Sequence, residues 1–322
     1  MRKVGVAGSG AFGTALAIAI ASQENNVVLW GRSKDHIDSI KDLNENLKFL
    51  PNIKLPNTIN PTSDFFALTT CDLVLLAIPT QSLKQFLEEH KNKLENLTLV
   101  VCCKGAELDT GDLPTEIIQR ILPKNNIMVL TGPGFARELA LGKPTAMTLG
   151  SNVPMTDIQK LLSSRTLRIY QSTDLIGLQI GGALKNVIAI ACGIAMGAGL
   201  GESARAALMT RGFAEMLRFA KARGGKENTL MGLSGFGDLS LTCSSEKSRN
   251  FSFGYALSKN DFSKKSDTVE GSETSHIIAK FSADFGVEMP ITQIVSKVIK
   301  REISTTEAMD VLLSRPLRDN ES

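Results

Sequence analysis

Short runs of consecutive apolar residues alternate with helical patterns through the first half of the chain. The first two runs, residues 4–7 and 27–30, are separated by a helical pattern over 14–21. Further apolar runs follow at 73–78, 97–103, 127–130 and 146–149. Uninterrupted apolar strands separated by helices indicate a parallel sheet that is covered on both faces. With right-handed crossovers, this pattern predicts an α/β fold with an N-terminal Rossmann-like, doubly wound sheet.

The pattern changes after about Tyr170. From Asp174 onward, apolar residues recur at helical spacing and strand-like runs disappear, which predicts an all-helical second domain. We therefore place the domains at residues 1–172 and 173–322. The uncharged stretch 187–201 is shorter than the ~20 residues of a membrane-spanning helix, so we expect a buried core helix there.

Composition and charge argue against several classes of protein. Hydrophobic residues make up 43% of the 322 positions, which suits a globular fold and argues against disorder. The net charge of +3 is too small to suggest a nucleic-acid-binding protein. The five cysteines have no metal-ligand spacing, and their odd number argues against a disulfide framework. Because the first apolar run starts at Val4 without a signal-peptide pattern, we expect a cytoplasmic protein without a membrane span.

A glycine-rich turn directly follows the first apolar run. Gly8, Gly10 and Gly13 form a GxGxxG string with a strand before it and a helix after it, which is the context of a dinucleotide-binding turn. The first glycine permits the tight turn, the second lets the backbone approach the pyrophosphate, and the third allows the helix to pack closely on the strand. The helix N-terminus then faces the phosphate charge. We therefore predict that residues 1–172 bind a dinucleotide.

The end of the second strand carries a cation where an acidic residue is expected for NAD. An Asp or Glu at this position would accept hydrogen bonds from the adenosine ribose, but the chain has Arg32 after Trp30 and Gly31. A guanidinium suits a 2′-phosphate and can stack on adenine. This favours NADP(H), with NAD(H) as the alternative if Arg32 is an ordinary surface residue.

Lysine is a better candidate than histidine for the acid–base group. His36, His90 and His276 stand in charged or polar helical surroundings, where we expect solvated surface residues. Lys185 and Asn186 instead open the apolar helix, where polar groups are costly unless something specific satisfies them. Burial or neighbouring cations would lower the pKa of such a lysine towards working pH. The alternative is a lysine that reaches solvent from a core helix.

Other polar groups follow predicted strands or lie in glycine-rich loops. Lys104 follows the run 97–103, and a small-residue segment over 131–136 follows the next run, so both stand at carboxyl ends of strands, where α/β sheets bind ligands. Asp238 offers a carboxylate in a glycine-rich loop, and residues 248–250 combine a hydroxyl, a guanidinium and an amide. That triplet suits a phosphate clamp, although by itself it also fits a polar loop.

Many short strings along the chain, taken in order, resemble the NAD(P)-dependent glycerol-3-phosphate dehydrogenase family. The resemblance covers nearly the full length, and it is specific because the strings occur together. The strings are residues 8–15, 103–105, 132–133, 135–136, 182–189, 206–212, 237–239, 241–243, 248–250, 269–271 and 315–317. The resemblance implies an enzyme that interconverts dihydroxyacetone phosphate and sn-glycerol 3-phosphate, and that supplies glycerol phosphate for phospholipid synthesis.

The resemblance also implies roles for individual residues. Lys185 is expected to donate and accept the proton, with Lys104 and Asp238 completing the catalytic set. Substrate contacts are expected from Lys104, Gly132, Gly134, Lys185, Asp238, Ser248, Arg249 and Asn250. Together with the glycine-rich turn, the resemblance implies cofactor contacts from Gly8, Gly10, Ala11, Phe12, Gly13, Arg32, Lys104, Ala136, Arg249, Thr268 and Glu270.

Four positions depart from the family pattern. Gly134 stands where Ser or Thr is usual, which puts one side-chain hydrogen bond to the substrate in question. Met196 and Ser203 replace residues that are commonly Asp and Asn, and Thr268 replaces an apolar residue. None of these changes removes a residue that is assigned to the chemistry.

The expected reaction moves a hydride from the nicotinamide to the C2 carbonyl carbon of dihydroxyacetone phosphate. Lys185 donates a proton to the oxygen, Lys104 stabilises its developing negative charge, and Asp238 orients Lys185 or a water molecule. No metal ion is expected, and a homodimer is left open. Two alternatives remain, a lysine-dependent reductase that acts on a carboxylate and a catalytically silent NADPH sensor. Residues 248–250 argue against the first, and the complete catalytic set argues against the second.

Overall fold

The chain forms two compact units in the computed structural model, which describes residues 2–21, 25–261 and 269–313. The first unit comprises the described residues of Met1–Cys103 and Pro114–Leu175, and the second those of Lys104–Leu113 and Ile176–Ser322. The predicted boundary between residues 172 and 173 stays a prediction, because compactness does not show which segments fold on their own.

Strands alternate with helices through the described part of the first unit. The elements are β1 (Lys3–Ala7), α1 (Ala11–Ala21), β2 (Asn26–Trp30), α2 (Lys34–Leu43), β3 (Ile59–Thr62), α3 (Phe66–Thr69), β4 (Leu73–Leu76), α4 (Leu83–Glu89), α5 (Lys91–Leu94), β5 (Thr98–Val101), α6 (Pro114–Ile121), β6 (Ile127–Thr131), α7 (Ala136–Ala140), β7 (Thr145–Ser151), α8 (Thr156–Leu162) and β8 (Leu167–Ser172).

The strands form one eight-stranded sheet in the order β3-β2-β1-β4-β5-β6-β7-β8. Val4 of β1 pairs with Val27 on one side and with Leu73 on the other, both in parallel register. The chain therefore builds outward from β1 to β3 and then returns to place β4 on the opposite side. This reversal creates a switch point at the carboxyl ends of β1 and β4, where open α/β sheets bind ligands.

The sheet is mostly parallel, as predicted, and the exception is β7, which runs antiparallel to β6 with Leu130 opposite Leu149. The connection between these strands holds only the five-residue helix α7. A parallel return needs a crossover of about a dozen residues or more, usually with a full helix. This connection of 13 residues, 132–144, has the length of a crossover but not its full helix, and the chain reverses here; β7 and β8 then continue the sheet.

Two strands were missed by the sequence analysis because they lack a continuous apolar run. The edge strand β3 contains Pro61, and an edge position tolerates a residue that cannot donate a ladder hydrogen bond. In β8, buried Leu167 and Ile169 alternate with exposed Arg168 and Tyr170. Such alternation is the pattern of a strand with one solvated face, as sheet edges permit.

The described part of the second unit is helical, as predicted. Its helices are α9 (Leu175–Gly197), α10 (Gly201–Ala222), α11 (Glu227–Met231), α12 (Asp238–Cys243), α13 (Arg249–Ser258), α14 (Glu270–Phe281), α15 (Pro290–Ile299) and α16 (Thr305–Leu313). Among the described residues, α9 is long and apolar enough to cross a membrane, but 89% of its most apolar window is buried inside the protein. It is the core helix of this unit, and α10, α13 and α15 contribute to the same apolar cluster.

Local structure differs from the prediction at Lys185 and in the segment that precedes Asp238. Lys185 lies in the middle of α9 and does not open it, because the helix already begins at Leu175. Residues 234–237 are not a loop, since Leu233–Gly237 form a π-helical turn that continues into α12. Asp238 is therefore the first residue of a helix.

Candidate active site

The glycine-rich turn lies between β1 and α1 at the carboxyl edge of the sheet. Gly8 has φ of +120°, which L side chains rarely adopt, and a Cβ there would lie 2.4 Å from the carbonyl oxygen of Ala77. A Cβ on Gly10 would meet no atom within 4 Å, so the backbone there borders open space. Ala11 and Phe12 then begin the 11-residue helix α1. Open space at a helix N-terminus fits the pyrophosphate of a dinucleotide.

The end of β2 is hydrogen-bonded to this turn. Gly8 donates its N–H to the carbonyl oxygen of Trp30 at 2.9 Å. Arg32 follows and is exposed, while the hydroxyl of Ser33 caps α2 by accepting the N–H of His36 at 3.3 Å. A cation and the positive end of a helix dipole therefore stand at the end of β2, the position that reads the adenosine ribose in dinucleotide-binding folds.

The predicted contacts that follow β6 lie at the same edge of the sheet. Gly132 and Gly134 come directly after this strand, and Ala136 begins α7. Because β6 runs parallel to β5, its carboxyl end points in the same direction as those of the preceding strands. The contacts of these three residues with substrate or cofactor stay predictions.

Two lysines and one aspartate form a buried cluster in the second unit. Asp238 is 1% exposed, and its Oδ2 accepts a hydrogen bond from Lys104 Nζ at 2.7 Å. Its Oδ1 accepts a hydrogen bond from Lys185 Nζ, which also donates to the Oγ1 of Thr242 at 2.9 Å. With all three groups ionised, the cluster carries one net positive charge.

Close backbone packing brings Lys185 of α9 and Asp238 of α12 together. A Cβ on Gly181 would lie 2.5 Å from the carbonyl oxygen of Ser234, so the lack of a side chain lets α9 approach the π-helical turn. Lys185 follows Gly181 by four residues, and Asp238 follows Ser234 by four residues. Residues four apart share a helix face, so the close approach at the first pair sets the second pair in contact.

Burial and charge shift the pKa values of all three groups. Burial is the main cause that lowers the pKa of Lys185 to about 8, with the charge of Asp238 opposing it and that of Lys104 adding to it. Burial also disfavours the charged form of Lys104, but the carboxylates of Asp238 and Glu270 outweigh it and raise its pKa. The two ammonium groups hold the pKa of Asp238 below its ordinary value against the effect of burial. Lys185 is thus the group that can exchange a proton near neutral pH.

A second carboxylate and a guanidinium belong to the same electrostatic environment. Glu270, the first residue of α14, accepts a hydrogen bond from Asn186 Nδ2 at 3.3 Å. Burial raises the pKa of Glu270, and the charges of Arg249, Lys104 and Lys185 oppose that rise. Arg249 begins the ten-residue helix α13.

Sequence models of both domains of one family match the chain. The model of the NAD-dependent glycerol-3-phosphate dehydrogenase N-terminus matches residues 3–157, and that of the C-terminus matches residues 174–310. A glycerol-3-phosphate dehydrogenase (NAD(P)+) of Ruegeria sp. (strain TM1040) is 50% identical over 98% of this chain and 99% of its own. The chain belongs to the NAD-dependent glycerol-3-phosphate dehydrogenase family.

Further similarities agree with this membership. A protein of the same name from Roseobacter denitrificans is 47% identical over 98% of this chain and 99% of its own. The crystal structure of glycerol-3-phosphate dehydrogenase from Coxiella burnetii is similar at 32% identity with a TM-score of 0.93, and covers 98% of this chain and 99% of that one. The predicted family, the α/β fold and the oxidoreductase activity with a nicotinamide cofactor are thereby confirmed.

In this family member, residues 248–250 lie at the start of helix α13 and do not form a polar loop. The hydroxyl of Ser248 caps α13 by accepting the N–H of Phe251 at 3.2 Å. Asn250 Oδ1 accepts the N–H of Gly271 at 3.0 Å and so joins α13 to α14. Both side chains therefore accept a hydrogen bond from a backbone N–H group, and their contacts with substrate stay predictions.

The prediction that the three histidines are solvated surface residues is wrong. His90 stacks on Phe65 with ring centroids 3.6 Å apart. His276 Nδ1 is 2.7 Å from the hydroxyl of Ser296, and all three rings are partly buried. These packing roles leave the buried lysine as the acid–base candidate.

Thr242 was missed as a member of the cluster. Its hydroxyl donates to the carbonyl oxygen of Asp238 at 2.6 Å and accepts from Lys185. The spacing of four residues between Asp238 and Thr242 is a signal only on a helix, and the glycines before Asp238 predict a loop. Thr268 and residues 315–317 lie outside the described residues. Among those that are described, no three His, Cys, Asp or Glu residues are grouped to hold a metal ion.

Proposed function

We propose that the cluster of Lys185, Asp238 and Lys104 performs the proton transfer in the interconversion of dihydroxyacetone phosphate and sn-glycerol 3-phosphate, with NADPH as the preferred cofactor. The observation that carries this proposal is the buried Lys185, whose pKa is lowered to about 8. A general acid is most effective when its pKa lies near working pH. No histidine in the described structure has a comparable position.

Several residues have roles in the proposed reaction. The glycine-rich turn, Arg32, Ala136 and Glu270 are the residues that would hold the cofactor. When bound there, NADPH would supply the hydride for the carbonyl carbon. Lys185 donates its proton to the carbonyl oxygen as negative charge develops there, and in the reverse direction its neutral amine takes the hydroxyl proton.

Asp238 and Lys104 tune this transfer without exchanging the proton themselves. The carboxylate accepts from both ammonium groups, which fixes the direction of Lys185 Nζ. Lys104, whose pKa is raised by Asp238 and Glu270 against burial, stays protonated throughout the working range. Its fixed positive charge then stabilises the developing oxyanion, an effect that is strong in a buried site.

Arg249 is the proposed anchor for the substrate phosphate. It stands at the first position of α13, where the helix dipole and the first-turn N–H groups favour an anion. A guanidinium can add a bidentate contact to phosphate oxygens. This anchor also distinguishes the proposal from a reductase that acts on a carboxylate, because that substrate has no phosphate to hold.

One assay tests the proposal against both alternatives. NADPH oxidation is measured with dihydroxyacetone phosphate and, in parallel, with a panel of 2-oxo acids. Turnover that depends on the phosphate substrate supports the proposal. Turnover on the oxo acids alone would identify a carboxylate reductase, and NADPH binding without any turnover would identify a sensor.

The pH dependence of the reaction is expected to follow Lys185. Reduction needs the ammonium form, so kcat/KM for dihydroxyacetone phosphate should fall above about pH 8. Oxidation of glycerol 3-phosphate needs the neutral amine, so its kcat/KM should rise through the same region and then level off. Both directions are measured from pH 7 to 10, above the second phosphate pKa of about 6. Profiles that are flat or that change in the same sense in both directions would contradict this assignment.

Arg32→Asp is expected to shift the cofactor preference from NADPH towards NADH. The substitution removes a cation suited to the 2′-phosphate and adds a carboxylate that can accept from a ribose hydroxyl. The ratio of kcat/KM for the two cofactors should change by roughly tenfold to a hundredfold, the scale of one charge-assisted contact. Lys41→Asp, in the last turn of α2, changes the net charge equally and should leave the ratio unchanged. Equal kcat/KM values for both cofactors in the parent would contradict the preference.

Arg249→Ala is expected to raise KM for dihydroxyacetone phosphate by roughly tenfold to a hundredfold, since a charge-assisted contact contributes about 1.5–3 kcal/mol. The matched measurement uses dihydroxyacetone, which lacks the phosphate and should react equally slowly with parent and variant. If the variant keeps the kcat/KM of the parent for the phosphorylated substrate, another residue holds the phosphate.

A further inference from the structure

A buried asparagine outside the motifs is bonded to the glycine-rich turn. Asn46 is 0% exposed, and its Nδ2 donates to the carbonyl oxygen of Ser9 at 2.9 Å and to the Oγ1 of Thr14 at 2.7 Å. Its Oδ1 accepts the N–H of Phe49 at 3.3 Å. An amide buried this deeply is costly unless it is satisfied, and here both donated bonds go to the turn and to the first helix after it.

A histidine donates to the same carbonyl oxygen. His36 Nε2 lies 3.3 Å from the oxygen of Ser9, which fits an Nε2–H donor. Its ring meets Phe49 edge to face with centroids 5.2 Å apart. The peptide between Ser9 and Gly10 is therefore held on its carbonyl side by two side chains, one in α2 and one in the segment that follows.

The opposite side of this peptide faces the proposed cofactor position. In a trans peptide, the C=O and N–H bonds point in opposite directions, and the structure contains no cis peptide bond among the described residues. With the Ser9 oxygen directed at Asn46 and His36, the N–H of Gly10 points the other way. Gly10 is also the glycine that borders open space.

We propose that Asn46, assisted by His36, is a positioning residue for the dinucleotide: by holding the Ser9 carbonyl it fixes the peptide plane so that the N–H of Gly10 is presented to the pyrophosphate. This inference rests on the proposed cofactor site at the glycine-rich turn. Without the hydrogen bonds to the Ser9 carbonyl, the peptide between Ser9 and Gly10 can rotate, and the cofactor can bind only after its orientation is restored. The free-energy cost of this ordering lowers cofactor affinity and does not slow the chemical step.

The main test compares Asn46→Ala with Asn125→Ala. Asn125 is a matched control because it is 8% exposed and also donates to two oxygens, the carbonyls of Leu94 and Leu97 at 2.7 and 2.8 Å. Both variants lose the two hydrogen bonds that the amide donates, and Asn46→Ala also loses the one that Oδ1 accepts from Phe49, so both should lower Tm. Only Asn46→Ala is expected to raise the Kd of NADPH, by roughly tenfold to a hundredfold. Kd is measured by titration of NADPH fluorescence without substrate.

The kinetic readout separates positioning from general loss of structure. For Asn46→Ala, KM for NADPH should rise with Kd, while kcat at saturating NADPH stays within about threefold of the parent. The inference is overturned if the folded variant binds NADPH within twofold of the parent, or if Asn125→Ala loses as much affinity. A parent enzyme that binds no NADPH would overturn the proposed function itself.

His36→Phe decides the question if Asn46→Ala does not fold. Phenylalanine keeps the edge-to-face contact with Phe49 and removes the donor to Ser9. We expect the Kd of NADPH to rise about threefold to tenfold, the scale of one neutral hydrogen bond, at an unchanged Tm. An unchanged Kd in this variant would overturn the inference.

Discussion

Replacing Lys185 with alanine should lower kcat by about a hundredfold to ten-thousandfold, the usual scale for losing a general acid. The lysine is the group whose pKa lies near working pH, at about 8. Its loss leaves Asp238 paired with Lys104 at 2.7 Å, so the remaining cluster is electrically neutral. The fold and NADPH affinity should therefore stay close to those of the parent. The measurements are kcat with both substrates saturating and Kd for NADPH by fluorescence titration.

Two further variants sharpen this result. Lys185→Arg should not restore activity, because a guanidinium stays protonated and has a different shape. Lys221→Ala removes an exposed lysine of α10 and should leave kcat unchanged. Turnover of Lys185→Ala within a few fold of the parent would mean that another group carries the proton.

Among single substitutions at the site, Asp238→Asn should lower the free energy of unfolding the most. The amide has nearly the same volume, but it leaves two buried ammonium groups facing each other without a carboxylate. Breaking a buried pair in this way typically costs about 3–5 kcal/mol, so the free energy of unfolding should fall by that order. Turnover should fall at least tenfold, because the direction of Lys185 Nζ is no longer fixed. Denaturant unfolding and kcat are the two measurements.

The sign of the pH effect gives an independent check on this variant. Asp238 is the cause that raises the pKa of Lys185 against burial and against Lys104. Without its charge, the pKa of Lys185 should drop below about 8, and the decline of the reductive reaction should begin at lower pH. A decline at unchanged pH would show that the inflection belongs to another group.

A double variant separates stability from catalysis at Asp238. Combining Asp238→Asn with Lys104→Met removes one charge of each sign, so that one buried ammonium remains instead of two. The free energy of unfolding should recover in part, while kcat stays low. Recovery of both together would assign Asp238 a purely structural role.

The first part of the fold could be predicted because its signals are local. Val4 to Ala7 are apolar in succession, Gly8 follows directly, and the helix begins within the same short stretch. Each step of that argument involves neighbours in sequence. The edge strands lack such a signal, since β3 contains a proline and β8 alternates buried and exposed residues.

Three members of the buried cluster, Lys104, Lys185 and Asp238, were predicted from the sequence, whereas Thr242 was not. Lys185 was identified because a charged residue in an apolar segment needs a partner, and its partner proved to be a carboxylate 53 residues away in sequence. The close approach of Gly181 to Ser234 that sets this pairing is a tertiary contact, which hydrophobic periodicity does not contain. Thr242 and Asn46 were missed for the same reason, because their hydrogen bonds depend on backbone geometry that the sequence alone does not specify.

The π-helical turn at Leu233–Gly237 limits which changes of chain length this enzyme can accept. A π-helical turn amounts to one extra residue inserted into a helix, and here it immediately precedes Asp238. Successive residues of an α-helix are about 100° apart around its axis. Loss of one residue from this turn would therefore rotate the carboxylate away from both lysines even though every side chain of the cluster was retained. The segment should therefore accept substitutions more readily than changes of length, because the number of residues in the turn sets the direction of the Asp238 side chain.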